Sequence, residues 1–141
     1  MGKMRIKQEI GSVEVGKPQI LKKAKKRVTE GNIFIQCTFN NTIITFADKK
    51  GNTIFWSSSG RSGFKGAKQG TPYAASVVAN AVAEAAKEAG LSRVSLYVKG
   101  VGQGRDQALR TLVAAGFEVE EIKDITPLPH NGPRAKKLRR V

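Results

Sequence analysis

The stretch VKGVGQGRDQALR, Val98 to Arg110, sets Gly100, Gly102 and Gly104 at alternate positions between a short apolar run and an amphipathic one, with Lys99 before the first and Arg105 after the last. Glycine lets a backbone come close to a partner, and a helix start turns free N–H groups toward negative charge, so the chemistry on offer is anion binding. A second stretch repeats the theme: GRSGFKGAKQG, Gly60 to Gly70, interleaves Arg61, Lys65, Lys68 and Gln69 with four glycines and also ends where a helix begins. Neither is a nucleotide loop. The triphosphate loop needs four residues between its glycines and Lys-Ser or Lys-Thr at the helix start, whereas this helix opens Arg105-Asp106-Gln107; the dinucleotide fingerprint fails because its third glycine falls at Gln107. The competing reading is that the glycines only make sharp strand-to-helix turns. Two basic glycine loops, each opening a helix, point instead to two backbone-phosphate sites on one extended nucleic acid.

Two further features stand between a structural and a binding reading. Phe64 is either a plug that closes its loop onto the sheet or a platform for an unpaired base, worth about 1–3 kcal/mol where such stacking occurs. Asn40-Asn41, in FNNTI, is either a plain turn or a pair of amides at a hairpin tip, able to reach base edges and the ribose hydroxyl that RNA offers and DNA does not. Asn131-Gly132 reads as a turn; glycine there also leaves the asparagine side chain open to attack by the next backbone nitrogen.

Catalysis lacks its residues. His130, the one histidine, lies in a proline-rich exit away from carboxylates and nucleophiles. Asp48 sits in a turn, Asp106 at a helix start, and Glu118, Glu120 and Glu121 on a solvated edge, so no acidic pair suits two-metal chemistry. Cys37 has neither a histidine partner nor a basic neighbour in its strand and reads as a buried structural thiol. No catalytic residue, metal set or cofactor is expected.

Charge distribution favours a polyanion. The chain has 141 residues, suited to one domain, with 25 Lys+Arg against 11 Asp+Glu. Residues 1–27 hold nine basic and two acidic residues, and residues 125–141 hold five basic and none acidic, so +12 of the formal +14 sits at the two ends. Clustered like charges repel unless a polyanion neutralises them, and neither end shows a basic helix with a large aromatic face for a membrane; nucleic acid is the expected partner. A general DNA-compacting module shares this signature and predicts equal affinity for duplex DNA. The single cysteine precludes an internal disulfide and suits a reducing compartment. No apolar run spans a bilayer, no secretory block opens the chain, and Ile6 stands where myristoylation needs Ser or Thr, so a soluble, intracellular protein is expected.

The elements that must position these groups follow from periodicity. Ile-, Phe- and Thr-rich runs predict strands at about 32–39, 42–47 and 53–58, an antiparallel meander with two tight turns. Ile54 and Trp56 share a face of the third, which predicts burial of Trp56 in the core or an interface. Thr71 as N-cap and Pro72 at the first helical position open an alanine-rich helix that stops at Gly90. Arg93–Val98 is a strand, the glycine loop leads to a second helix through about Ala115 with Leu109, Leu112 and Val113 on its apolar side, and a last strand turns Phe117, Val119 and Ile122 inward. The expected fold is α/β: a basic N-terminal extension (1–27), one domain (28–124) with a mixed sheet, β-β-β-α-β-α-β, and two helices packed on it, and a basic C-terminal tail (125–141).

FNNTI, GFKGAKQGTPYAA, VKGVGQGRDQALRTL, AAGFEV and ITPLPHNGPR…KKLRRV, in this order and spacing, closely resemble the family of protein eleven of the small ribosomal subunit, in its bacterial or organellar form, over about residues 26–141. The resemblance implies a ribonuclease-H-like outline and a structural, non-enzymatic protein of translation. Such proteins bind small-subunit ribosomal RNA on the platform, bridge its helices and help shape the Shine–Dalgarno cleft where the messenger pairs. It also implies ribosomal proteins seven and eighteen as neighbours, a nearby site for initiation factor three, and a place in the ribosome, cytoplasmic or organellar. Carried over by motif, RNA contacts fall on Asn40, Asn41, Arg61, Phe64, Lys65, Lys68, Lys99, Gly102, Gly104, Arg105, His130, Asn131, Arg134, Lys136, Lys137, Arg139 and Arg140. Three departures qualify the match. Val101 and Gln103 replace prolines of the family's second glycine loop, Ala135 and Lys136 replace two prolines of its tail, and residues 1–25 run longer than its common pattern.

Overall fold

The computed structural model describes residues 27–140; the expected N-terminal extension, apart from Arg27, and Val141 lie outside the described residues. Alternating side chains build β1 (Glu30–Cys37), β2 (Thr42–Asp48) and β3 (Thr53–Ser58) into the antiparallel meander read from the sequence. Ile33, Ile35 and Cys37 of β1 and Ile44 and Phe46 of β2 are buried on one face. β1 ends two residues before its predicted limit because Thr38 already closes the turn: its amide donates to the Asn41 carbonyl at 2.8 Å.

Helix α1 (Pro72–Glu88) starts where Thr71 caps it, the hydroxyl accepting the Ala74 amide at 3.3 Å. It ends at Gly90, where a φ of +87° lets Leu91 N–H reach the Ala86 carbonyl and Gly90 N–H reach that of Lys87. Ala75, Val78, Ala79, Val82, Ala83 and Ala86 form its buried face; alanine there leaves little side chain between helix axis and sheet. β4 (Arg93–Gly100), α2 (Gly104–Ala114) and β5 (Glu118–Asp124) complete the domain. The sheet order is β3-β2-β1-β4-β5, with β4 parallel to both β1 and β5.

Both crossovers, through α1 and through α2, step the same way across the sheet. Right-handed connections then put both helices on one face, and α1 and α2 do pack against each other there. That layer buries α2 through Ala108 and Leu112, while Val113 is 46% exposed on its outer side.

Trp56 is not in the core, and Ile122 is not buried as expected. In β3 the residues turned inward are Phe55 and Ser57, so Trp56 (47% exposed) and Ile54 (41%) lie on the face without helices and outside the core. Both faces of this strand are apolar, and a period of two cannot say which one meets the helices. Ile122 pairs with buried Leu96 yet is 55% exposed, because β5 is an edge strand beyond the helices' cover.

Cys37 is fully buried, and burial pushes its thiol above the ordinary value, against a lowering by the Thr42 hydrogen bond. Thiol reagents attack the exposed thiolate. Cys37 is therefore expected to stay unmodified by maleimide in the folded chain and to react on denaturation, as followed by intact mass; fast labelling of the native protein would contradict this.

Candidate nucleic-acid interface

The strand directions decide where the suspected binding groups meet. β1, β3, β4 and β5 all run parallel, so their carboxyl ends share one edge of the sheet. From that edge emerge, in chain order, the 38–41 turn, the 59–71 loop, the 101–103 turn and the chain beyond Asp124. Segments more than eighty residues apart in sequence thus become neighbours, in the position where open α/β sheets hold their ligands.

The glycines hold these segments together. A Cβ on Gly100 would stand 1.9 Å from the Cys37 carbonyl oxygen, one on Gly102 2.3 Å from that of Thr38, and one on Gly70 2.3 Å from that of Phe39. Gly104 faces the Thr42 hydroxyl and the Ala75 methyl, at 2.9 and 2.7 Å for the same hypothetical atom. The close approach that the glycines permit is therefore to the chain's own β1–β2 turn, which both loops grip from either side. Gly102 and Gly104 are buried in that contact, with Gly102 N–H donating to the Cys37 carbonyl at 3.2 Å.

Around this knot the side chains divide into held and free. Asn41 is held, its side-chain oxygen accepting the Thr42 amide at 2.9 Å, whereas Asn40 is exposed with no hydrogen bond among the described residues. The Arg61 guanidinium lies over the Trp56 ring at 4.9 Å and donates to the Trp56 carbonyl at 3.2 Å. Phe64 is half-buried, edge-on to Tyr73 with ring centres 5.9 Å apart, and the Gln69 amide donates to its carbonyl. Lys65, Lys68 and Lys99 are exposed and form no ion pair among the described residues.

Arg105 is the exception among the cations. It is paired with Asp124 and donates to the Gly100 carbonyl at 2.7 Å. Asp124, nineteen residues along the chain, was invisible as its partner in sequence; the local signal was Asp-Ile-Thr at a strand end, a spacing at which aspartate accepts hydrogen bonds from the second residue on. His130, Asn131, Arg134, Lys136, Lys137, Arg139 and Arg140 are all exposed on a tail without regular secondary structure, and Asn131 adopts a φ of +58° as a turn asparagine does. At the opposite end of the sheet lie Glu30, Asp48, Glu88 and Glu118, interspersed with Lys49, Lys50 and Arg93.

Residues 31–140 match the family model described as Ribosomal protein S11. The chain belongs to the ribosomal protein S11 family. Small ribosomal subunit protein uS11 of Nitratidesulfovibrio vulgaris (strain DSM 19637 / Miyazaki F) is 54% identical to it over 125 residues, 89% of this chain and 97% of that protein. The proteins of the same name from Lawsonia intracellularis (strain PHE/MN1-00) and Treponema pallidum (strain Nichols) are 54% and 53% identical over 120 residues, 85% of this chain and 93% and 95% of theirs. The S11 family is one of structural ribosomal proteins and not of enzymes, and its model covers both glycine loops and nearly all of the basic tail. The resemblance carried by the motifs is met.

Hydrogen bonds from the Thr126 hydroxyl, the Arg105 guanidinium and the Thr126 amide hold the Asp124 carboxyl well below the usual carboxylate range; bonds from Asn52 lower Asp48, and Lys49 lowers Glu120. A carboxyl whose pKa is depressed by folding adds stability above its unfolded value, near 4, and loses it as pH falls through the folded one. Melting temperature at low salt is thus expected to drop on acidification below about pH 4, and Asp124→Asn to flatten that decline. Superimposable pH profiles for the two proteins would contradict the assignment.

Proposed function

We propose that this chain is an RNA-binding structural constituent of the small ribosomal subunit, seated on the platform in the cytoplasmic ribosome. Its loop edge and basic tail bind small-subunit ribosomal RNA, bridge separate RNA helices and help form the Shine–Dalgarno cleft beside the messenger. Ribosomal proteins seven and eighteen are its neighbours there, and initiation factor three binds nearby. The observation that carries this reading is the convergence of the Asn40 tip, the cations Lys65, Lys68 and Lys99, and the root of a five-cation tail on one edge of the sheet. Each loop needs only weak phosphate contacts; their fixed separation supplies the selectivity for a folded RNA. In this reading Asn40 and Phe64 touch base or ribose groups, and His130, Asn131, Arg134 and the cations after it follow the RNA backbone.

Gradient sedimentation with small subunits in high salt, followed by crosslink mapping, tests the assignment. The protein is expected to travel with the subunit and to crosslink through residues 39–41, 61–68 and 130–140. Migration apart from ribosomes, or equal affinity for duplex DNA and folded ribosomal RNA, would overturn it.

A further inference from the structure

We infer that Arg105, Asp124 and Thr126 form a clamp that sets the direction in which the basic tail leaves the domain, so that Arg105 is a positioning residue for the tail's RNA contacts and not itself a phosphate ligand. The inference rests on the proposed reading that the tail lies on ribosomal RNA.

Together the contacts of the clamp tie the exit of β5 to the end of β4 and the turn that follows it. Arg105 donates through one nitrogen to the Gly100 carbonyl at 2.7 Å and through the other to Asp124. The second Asp124 oxygen accepts from the Thr126 amide at 2.9 Å and hydroxyl at 2.6 Å. That hydroxyl in turn accepts the Gly100 amide at 3.2 Å, and Ile125 N–H donates to the Val98 carbonyl at 2.8 Å. One exposed ion pair contributes little, but here it is one link of a closed ring that includes three backbone groups. A guanidinium already engaged on both sides, with its side chain 29% exposed, offers a phosphate less than the free Lys99 does.

Among the described residues, nothing beyond Thr126 makes a hydrogen bond to the domain. Arg134 lies eight residues further on, and an extended chain advances at most ~3.3–3.6 Å per residue, so it stands up to about 26–29 Å from its last anchor. Small changes of direction at Thr126 therefore move the tail cations by many ångströms. The clamp also explains why an acidic residue is kept at the cationic edge: its charge is spent on Arg105.

A cleaving probe on the tail tests this. Ala135→Cys in the full chain carries an iron chelate, buried Cys37 remaining unlabelled, and the protein is incorporated into reconstituted small subunits. Hydroxyl-radical cuts in the ribosomal RNA are expected to form a discrete set. Asp124→Asn and Thr126→Val, each checked by its melting curve, should lower the strongest cuts at least threefold and spread them to flanking nucleotides. Asp106→Asn, the same change of charge two residues after Gly104, should leave the pattern intact. If Asp124→Asn strengthens RNA binding as simple removal of a negative charge would, or if Thr126→Val keeps the parent pattern, the clamp is overturned. An incorporated parent protein that gives no cuts instead removes the tail reading on which it rests.

Discussion

Deleting Arg134–Val141 is expected to reduce the slope of log affinity against log salt concentration by about 3.5–4.5 units. The deleted stretch holds five cations, Arg134, Lys136, Lys137, Arg139 and Arg140. Each phosphate neutralised releases counterions and adds about 0.7 to the slope on single strands and about 0.9 on duplex. Removing the two free loop cations together, Lys65→Ala with Lys68→Ala, should change it by about 1.4–1.8, so tail and loop are separable in one titration. The fold should not notice the deletion. Leu138 is 96% exposed and Leu128, nearer the domain, 81%, so among the described residues the tail buries no large apolar side chain whose loss would lower the melting temperature. A slope unchanged by the deletion would mean that the tail is not phosphate-bound.

Gly100→Ala should have the largest effect on stability. Gly100 has a φ of +104°, where an L side chain is strained, and a Cβ would stand 1.9 Å from the Cys37 carbonyl oxygen. Cys37 and Gly100 are register partners in the parallel ladder of β1 and β4, so backbone meets backbone and neither can swing aside as a side chain would. Strain of about 1–3 kcal/mol and overpacking of a similar size combine to roughly 4 kcal/mol. A fall of at least about 10 °C in melting temperature follows for a domain of this size. Gly116→Ala isolates the first contribution: its φ is +93° but nothing lies within 4 Å, so about 1 kcal/mol is expected. Denaturant titrations that found the two variants alike would show that the loop can retreat from β1.

The two variants bear on function through the same contact. Loosening Gly100 frees the carbonyl and amide that hold Arg105 and Thr126, so the tail should lose its direction before the sheet loses its strands. Strand order, loop spacing and tail exit are one mechanical unit at this edge.

Local signals made the elements legible. Alternation marks the meander, Thr71-Pro72 and Gly90 bound α1 within a residue, and the charge at both ends points to a polyanion independently of the fold. Such signals act across a few neighbouring residues, where backbone preference and side-chain spacing are set by the chain itself. They were silent wherever a partner lay far along it. Ile54 and Trp56 against Phe55 was a choice between two apolar faces that only the helices could make, and Ile122 lost its cover because its strand falls at the sheet's edge. Likewise the glycines showed that the backbone must approach something closely, while the identity of that something, the 37–39 carbonyls, came from inserting β1 between β2 and β4. The Arg105–Asp124 pair has the same origin, since parallel strands bring together groups that share no local pattern. Periodicity and charge prescribe what each segment is; long-range pairing, whose closure entropy no local motif encodes, prescribes which segments meet.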